Sequence, residues 1–179
     1  PFFLEELAAY LIDHPLDWRD AAAIEQLDLP TSLHRLLLAR IDQLTEPGRL
    51  VLKVASIIGR RFRQQQLWGV YPTLGPPSLV IGELSALDRQ GLVIPEHDEL
   101  GQAYLFKHQA IHEVAYASLP QTLRARLHEQ FADWLEAGTA AGTLPAPDLL
   151  AYHYGQSANL AKQREYFRKA GDAAAASYA

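Results

Sequence analysis

The chain has 179 residues, of which 49% are apolar and 21% charged, with a formal net charge of -5. These values predict one or two small globular domains with real cores, and they count against disorder, a large nucleic-acid footprint and attraction to anionic membranes. No cysteine is present, which excludes disulfides and thiolate chemistry, and no apolar run approaches the roughly 20 residues that span a bilayer, so cytoplasm is the expected compartment.

The chain opens at Pro1 directly in a helix-like run with no signal-peptide pattern, which predicts a piece of a longer protein. Phe3, Leu4, Leu7, Ala8 and Leu11 form one helical stripe that should stop by His14, because Pro15 disfavours helical geometry in its predecessor. A loop with Trp18 follows. After Pro30, Thr31 or Ser32 is placed to cap a helix whose Leu33, Leu36, Leu37, Ile41 and Leu44 share a face. Thr45-Glu-Pro-Gly48 breaks that pattern, and Leu50 to Ile58 is then apolar on nearly every side, as a core helix is.

Gly59 should end this helix. Arg60, Arg61 and Arg63 surround Phe62, and a short segment with Leu67, Trp68 and Val70 leads to a turn over Pro72 to Pro77. Ser78 is a candidate cap for a helix bearing Leu79, Val80, Leu84 and Leu87, with Gly91 where a left-handed C-terminal cap belongs. Leu92-Val-Ile94, a polar turn at Asp98-Glu-Leu-Gly101, and Tyr104-Leu-Phe106 read as a two-stranded ribbon. At His108 the apolar period changes from two to 3.6, with Ile111, Val114, Ala115 and Leu119 on one helical face.

From Pro120 the pattern is helical again, with Leu123, Leu127, Phe131, Trp134 and Leu135 as the apolar stripe; Trp134 is expected in the core. A Gly/Thr/Ala/Pro-rich stretch from Gly138 to Pro147 precedes two helices, Leu149 to Tyr154 and Ala161 to Tyr178, joined by a turn at Ser157-Ala-Asn159. Tyr152, His153 and Tyr154 are expected to pack between these helices. The remaining length holds barely one helical-hairpin repeat of about 34 residues. The fold class expected is therefore mainly α, with a helical subdomain over 1–45, a winged helix-turn-helix with a small β-hairpin wing over 46–119, and a linker helix with the start of a TPR-like helical array over 120–179.

Four segments carry a family resemblance over nearly the whole chain: Pro1-Phe-Phe-Leu-Glu-Glu6, Leu52-Lys-Val-Ala-Ser-Ile-Ile-Gly-Arg-Arg-Phe62, Phe106-Lys-His-Gln-Ala-Ile-His-Glu-Val-Ala-Tyr116, and Arg124-Ala-Arg-Leu-His128 followed by the helix pair. Together they resemble the signal-transduction ATPases with numerous domains, in particular large bacterial regulators and class III adenylate and guanylate cyclases that join an AAA-like ATPase to helical repeats. The resemblance implies that Pro1 lies against the adenine of a bound nucleotide and that His108 is the winged-helix histidine, which in apoptosome-type switches touches the phosphates of ADP and holds the closed state. Lys107 stands where the family has an arginine before that histidine; it keeps the charge and loses the planar fork.

The chain contains no Gly-x-x-x-x-Gly-Lys-Ser/Thr loop, so it is not expected to hydrolyse ATP alone or to hold a nucleotide tightly. What the resemblance implies instead is ATP or ADP with magnesium bound in the parent, an upstream P-loop ATPase domain and downstream helical repeats as partners, and protein contacts or self-assembly. A DNA-binding winged helix is the alternative, with Ser78 to Gln90 as recognition helix, but Glu83, Asp88 and the single Arg89 are poor chemistry for phosphates and base edges. His108 and His112 have metal-sharing spacing without a third ligand, so neither a metal nor a metal-dependent hydrolase is expected. Arg60, Arg61 and Arg63 could meet phosphate or an acidic partner, although three charges at a helix exit are more often solvated.

Overall fold

The computed structural model describes Leu4, Ala8 and residues 33–99, 101–139 and 147–177. Leu4 and Ala8 are helical and exposed. The rest of the Phe3 to Leu11 stripe, the Trp18 loop, the Thr31 or Ser32 cap and Pro1 lie outside the described residues.

Among the described residues the chain is mainly helical, with one small antiparallel sheet. In order, the elements are α1 Leu33–Asp42, α2 Glu46–Ile58, β1 Arg61–Arg63, α3 Gln64–Val70, α4 Pro77–Arg89, β2 Val93–Asp98, β3 Gly101–Phe106, α5 Gln109–Ala117, α6 Gln121–Thr139, α7 Pro147–Gly155 and α8 Leu160–Ser177.

Local chemistry explains most boundaries. The Thr45 hydroxyl accepts the Gly48 N–H at 3.0 Å and starts α2, whose first turn tolerates Pro47 because that position has no intrahelical partner for an N–H. Val51, Leu52, Val54, Ala55 and Ile57 of α2 are all buried, as a helix apolar on nearly every side requires. The start of α4 differs from expectation. Pro76 is its N-cap and Pro77 its first helical residue, so Ser78 lies inside the first turn. Proline outcompetes serine here because its fixed φ already matches the helix. At the other end Gly91 follows the cap with φ of 68°, a left-handed conformation that glycine adopts without the Cβ penalty.

The sheet has the order β1-β3-β2, both pairings antiparallel. Strand β1 was not anticipated; three residues are too few for an alternation to stand out. Its register sets Phe62 opposite Tyr104, while Phe106 lies opposite Val93, so these four side chains share the inner face. On the outer face Arg61 donates to Glu96 at 2.9 Å and to Asp98, and Arg63 donates to Asp98. Ala103 lies between Arg63 and Glu96 in the register and is fully buried, covered by the long side chains that pair above it. Arg61 and Arg63 are thus committed to cross-strand pairs.

One apolar core runs from Leu37 of α1 through α2, the sheet and α5 to Leu127 and Phe131 of α6. A second, smaller core joins Ala132 of α6 to Leu150, Ala151 and Tyr154 of α7 and Tyr166 of α8. Leu135 packs against both. Helix α6 is therefore a shared wall, and its two apolar faces are why the two cores stay in register.

Trp134 corrects the expectation of a core residue: it remains 40% exposed. Its ring stacks on Phe131 at 5.8 Å between centroids and lies over Gly69 of α3. The indole acts as a half-covered lid rather than as filling. A Cβ at Gly69 would sit 2.4 Å from the Trp134 ring, so Gly69→Ala must push the indole away. We expect a loss of about 1 to 2 kcal/mol, seen as a lower urea midpoint with red-shifted tryptophan emission. An unchanged midpoint would mean that the α3–α6 contact yields freely.

Candidate functional site

His108 is the N-cap residue of α5 in an extended conformation, φ -132° and ψ 145°, and it is half-buried. Its carbonyl accepts the Ile111 N–H at 3.1 Å, but its side chain makes no capping bond to the helix. The backbone of Lys107 donates to the Leu92 carbonyl at 3.1 Å, and its side chain is exposed, with the ammonium near Gly91 at the end of α4. A cation there is favoured by the carbonyl end of a helix dipole. Lysine and histidine are both side chains whose N–H groups a phosphate can accept from.

The second histidine of that motif lies deeper. His112 Nε2 is 3.0 Å from the Ser56 carbonyl, so this nitrogen carries the proton and donates, and Nδ1 is a buried acceptor without a partner. Burial lowers its basicity below that of an ordinary imidazole. Among the described residues no cluster of three metal-ligating side chains forms.

His112 belongs to a chain of rings that the sequence did not reveal. Phe106 meets His112 edge-on at 5.2 Å, His112 stacks with Tyr116 at 6.2 Å, Tyr116 meets His128 at 5.7 Å, and His128 lies 5.1 Å from His153. The chain thus runs from the inner face of the sheet, through α5 and α6, to α7. Its polar segment is continuous: Tyr116 Oη is 2.9 Å from His128 Nε2, and His128 Nδ1 is 2.8 Å from His153 Nδ1.

Only one proton fits between the two Nδ1 atoms. If His153 Nδ1–H donates to His128, then His128 Nε2–H donates to Tyr116, and the unpartnered His153 Nε2 is a bare lone pair. The opposite arrangement would bury an N–H without an acceptor, which native structures avoid more strongly. Both imidazoles are held neutral. Burial, and then the nearby Arg124 charge, push His128 down to about 4. Burial, followed by His128 itself, pushes His153 down to about 3. Tyr154 packs against Tyr166 of α8 as expected; His153 is buried too, but against His128 and Phe131 of α6, and Tyr152 corrects the expectation because it remains 53% exposed. His128 gave no separate signal in the sequence.

A second polar cluster locks α7 and α8 onto α6. The Glu136 carboxylate accepts from Tyr154 Oη at 2.7 Å, Tyr166 Oη at 2.8 Å and Lys162 Nζ at 2.6 Å. Although partial burial alone would raise its pKa, bonds from Lys162, Tyr154 and Tyr166 outweigh that and hold it down to about 2. This cluster uses its donors and acceptors on one another and reads as a structural fastener. No family model, curated protein or solved structure matches this chain. Among the described residues no helix is long and apolar enough to cross a membrane.

Proposed function

We propose that this chain is the regulatory part of a cytoplasmic signal-transduction ATPase, in which a winged helix closes a nucleotide site supplied by an upstream P-loop domain and passes the ADP or ATP state to helical repeats. The observation that carries the reading is the element order helix, strand, helix, helix, strand, strand over residues 46–106 with sheet order β1-β3-β2. It supports a winged helix-turn-helix whose wing is β2–β3. The antiparallel pair α7 and α8, docked on the shared helix α6, supports the start of a TPR-like array.

In this reading His108 supplies a donor to the phosphate of bound ADP, Lys107 adds positive charge nearby, and Pro1 belongs to the adenine side. The nucleotide supplies the charge whose change on exchange the histidine reads; magnesium, held by the P-loop domain, does not involve this chain. The ring chain from Phe106 to His153 offers a rigid path from the neighbourhood of the His108 motif to the helical pair. The DNA-binding alternative is the weaker one, because α4 exposes Leu79 and Ile81 and ties Glu83 to Thr45, with no cluster of cations.

The test is ADP affinity by calorimetry on a protein that includes the P-loop domain, comparing native with His108→Ala. Loss of a shielded charge-assisted bond should weaken ADP about tenfold. Unchanged affinity in a folded variant would remove His108 from the nucleotide site.

A further inference from the structure

The α7–α8 pair meets the rest of the chain across α6, and the apolar part of that meeting is small. It joins Ala132 of α6 to Leu150, Ala151, Tyr154 and Tyr166, whereas the core around the sheet draws on every element from α1 to α6. Polar groups supply the rest. Carboxylates of α6 hold the pair from one direction: Glu129 accepts from Asn159, Asp133 from Tyr154, and Glu136 from Tyr154, Tyr166 and Lys162. Glu136 stays ionised in mild acid, so this fastener persists there. The remaining contact is between His128 of α6 and His153 of α7, both fully buried, with Nδ1 atoms 2.8 Å apart and room for one proton between them.

That contact has no place for a second proton. On the free Nδ1 lone pair it would set N–H against N–H, and on His153 Nε2 it would have no acceptor. The groups that face the two rings give no relief. Tyr116 of α5 is a neutral hydroxyl already bonded to His128 Nε2, Arg124 of α6 is a cation, Phe131 of α6 is apolar, and Tyr152 of α7 presents only its ring. Glu129, Asp133 and Glu136 bond elsewhere, and Tyr166 and Lys162 of α8 go to Glu136. Separating α7 from α6 removes the conflict, because each imidazole then takes its proton in water.

We propose that the α7–α8 pair is an acid-released arm, which mild acid undocks from α6 while the core around the sheet stays folded. Release uncovers Ala132, Tyr154 and Tyr166, an apolar surface closed at neutral pH. The imidazoles are depressed when docked and ordinary when free, so docking is whole above about pH 6.5 and weakens as pH falls toward 4. The nucleotide reading is not needed for this, since neither His108 nor Lys107 takes part.

The experiment is amide hydrogen exchange on this chain at pH 7.5 and 5, corrected for the intrinsic pH dependence of exchange, following Ala151, Tyr154 and Tyr166 in the arm and Leu52, Val54 and Ala55 in α2. The arm should be the less protected region at both pH values, because it opens without α2. Its protection should fall at least about thirtyfold from pH 7.5 to 5, the effect of one imidazole that titrates freely only in the released state. In the double variant His128→Gln, His153→Gln the fall should be no more than about threefold. Equal protection of arm and α2 at both pH values, an arm unchanged by acid, or the full fall in the double variant overturns the proposal. If that variant does not fold, the native imidazoles decide: the His128 and His153 resonances must titrate at the pH of arm release, and a separate midpoint overturns it.

Discussion

Phe106→Ala should cost about 3 to 5 kcal/mol, a large fraction of the roughly 5 to 15 kcal/mol that holds a domain of this size together. Phe106 is fully buried at the end of the central strand, 5.7 Å from the Phe62 ring and 5.2 Å from His112. Truncation leaves a cavity bounded by the sheet and α5, and neither can collapse into it, because β3 is paired on both sides. The neighbouring Ile94, 40% exposed on β2, is the contrast: Ile94→Ala should stay within about 1 kcal/mol of native. Guanidinium unfolding followed by circular dichroism measures both. A Phe106→Ala cost below about 1 kcal/mol would mean that the inner face of the sheet is not part of the core.

Acid should loosen the chain well before its carboxylates titrate. His128 and His153 have native basicities depressed to about 4 and about 3, whereas the unfolded chain has imidazoles near 6.5. Below pH 6.5 the unfolded state therefore binds more protons than the native one, and stability falls with falling pH until the native values are reached. Above pH 6.5 the contribution is whole. We expect several kcal/mol to be lost between pH 6.5 and 4, on the order of 3 for each histidine, since any proton added to the neutral pair either sets N–H against N–H or buries an unpaired cation near Arg124. His112, also depressed by burial, adds to the same slope.

Glu136 acts in a lower window: its pKa is held down to about 2, so its contribution is present above pH 4.5 and lost as pH falls toward 2. Urea midpoints at pH 7.5, 6 and 5 separate the two. The double variant His128→Gln, His153→Gln should flatten most of the upper slope and leave the share of His112. A native midpoint that does not move between pH 7.5 and 5 would show that the pair is solvated in solution.

Much of the helical framework was legible because its causes are local. The Thr45-Glu-Pro-Gly48 break, the Gly59 and Gly91 stops, and the change of apolar period at His108 each depend on residues within a turn of one another, and each recurs in the structure as a helix boundary or a strand-to-helix junction. The start of α4 was misread because Ser78 and Pro77 carry competing local signals, and the fixed φ of proline decides between them. Trp134 was misread because a helical stripe gives the direction of a side chain but not how much covers it; that cover comes from Gly69, 65 positions away in the chain.

By itself the sequence determined most of the helical segments, though not the short α3, where most of them stop, and that the residues around His108 join a strand to a helix. Hydrogen bonds within a turn and apolar periodicity suffice for those. The third strand, the sharing of α6 between two cores and the His128–His153 pair were decided only by tertiary structure. Each requires groups distant in sequence to meet, and a histidine or arginine is neutral, paired or unpaired only according to what burial has placed against it.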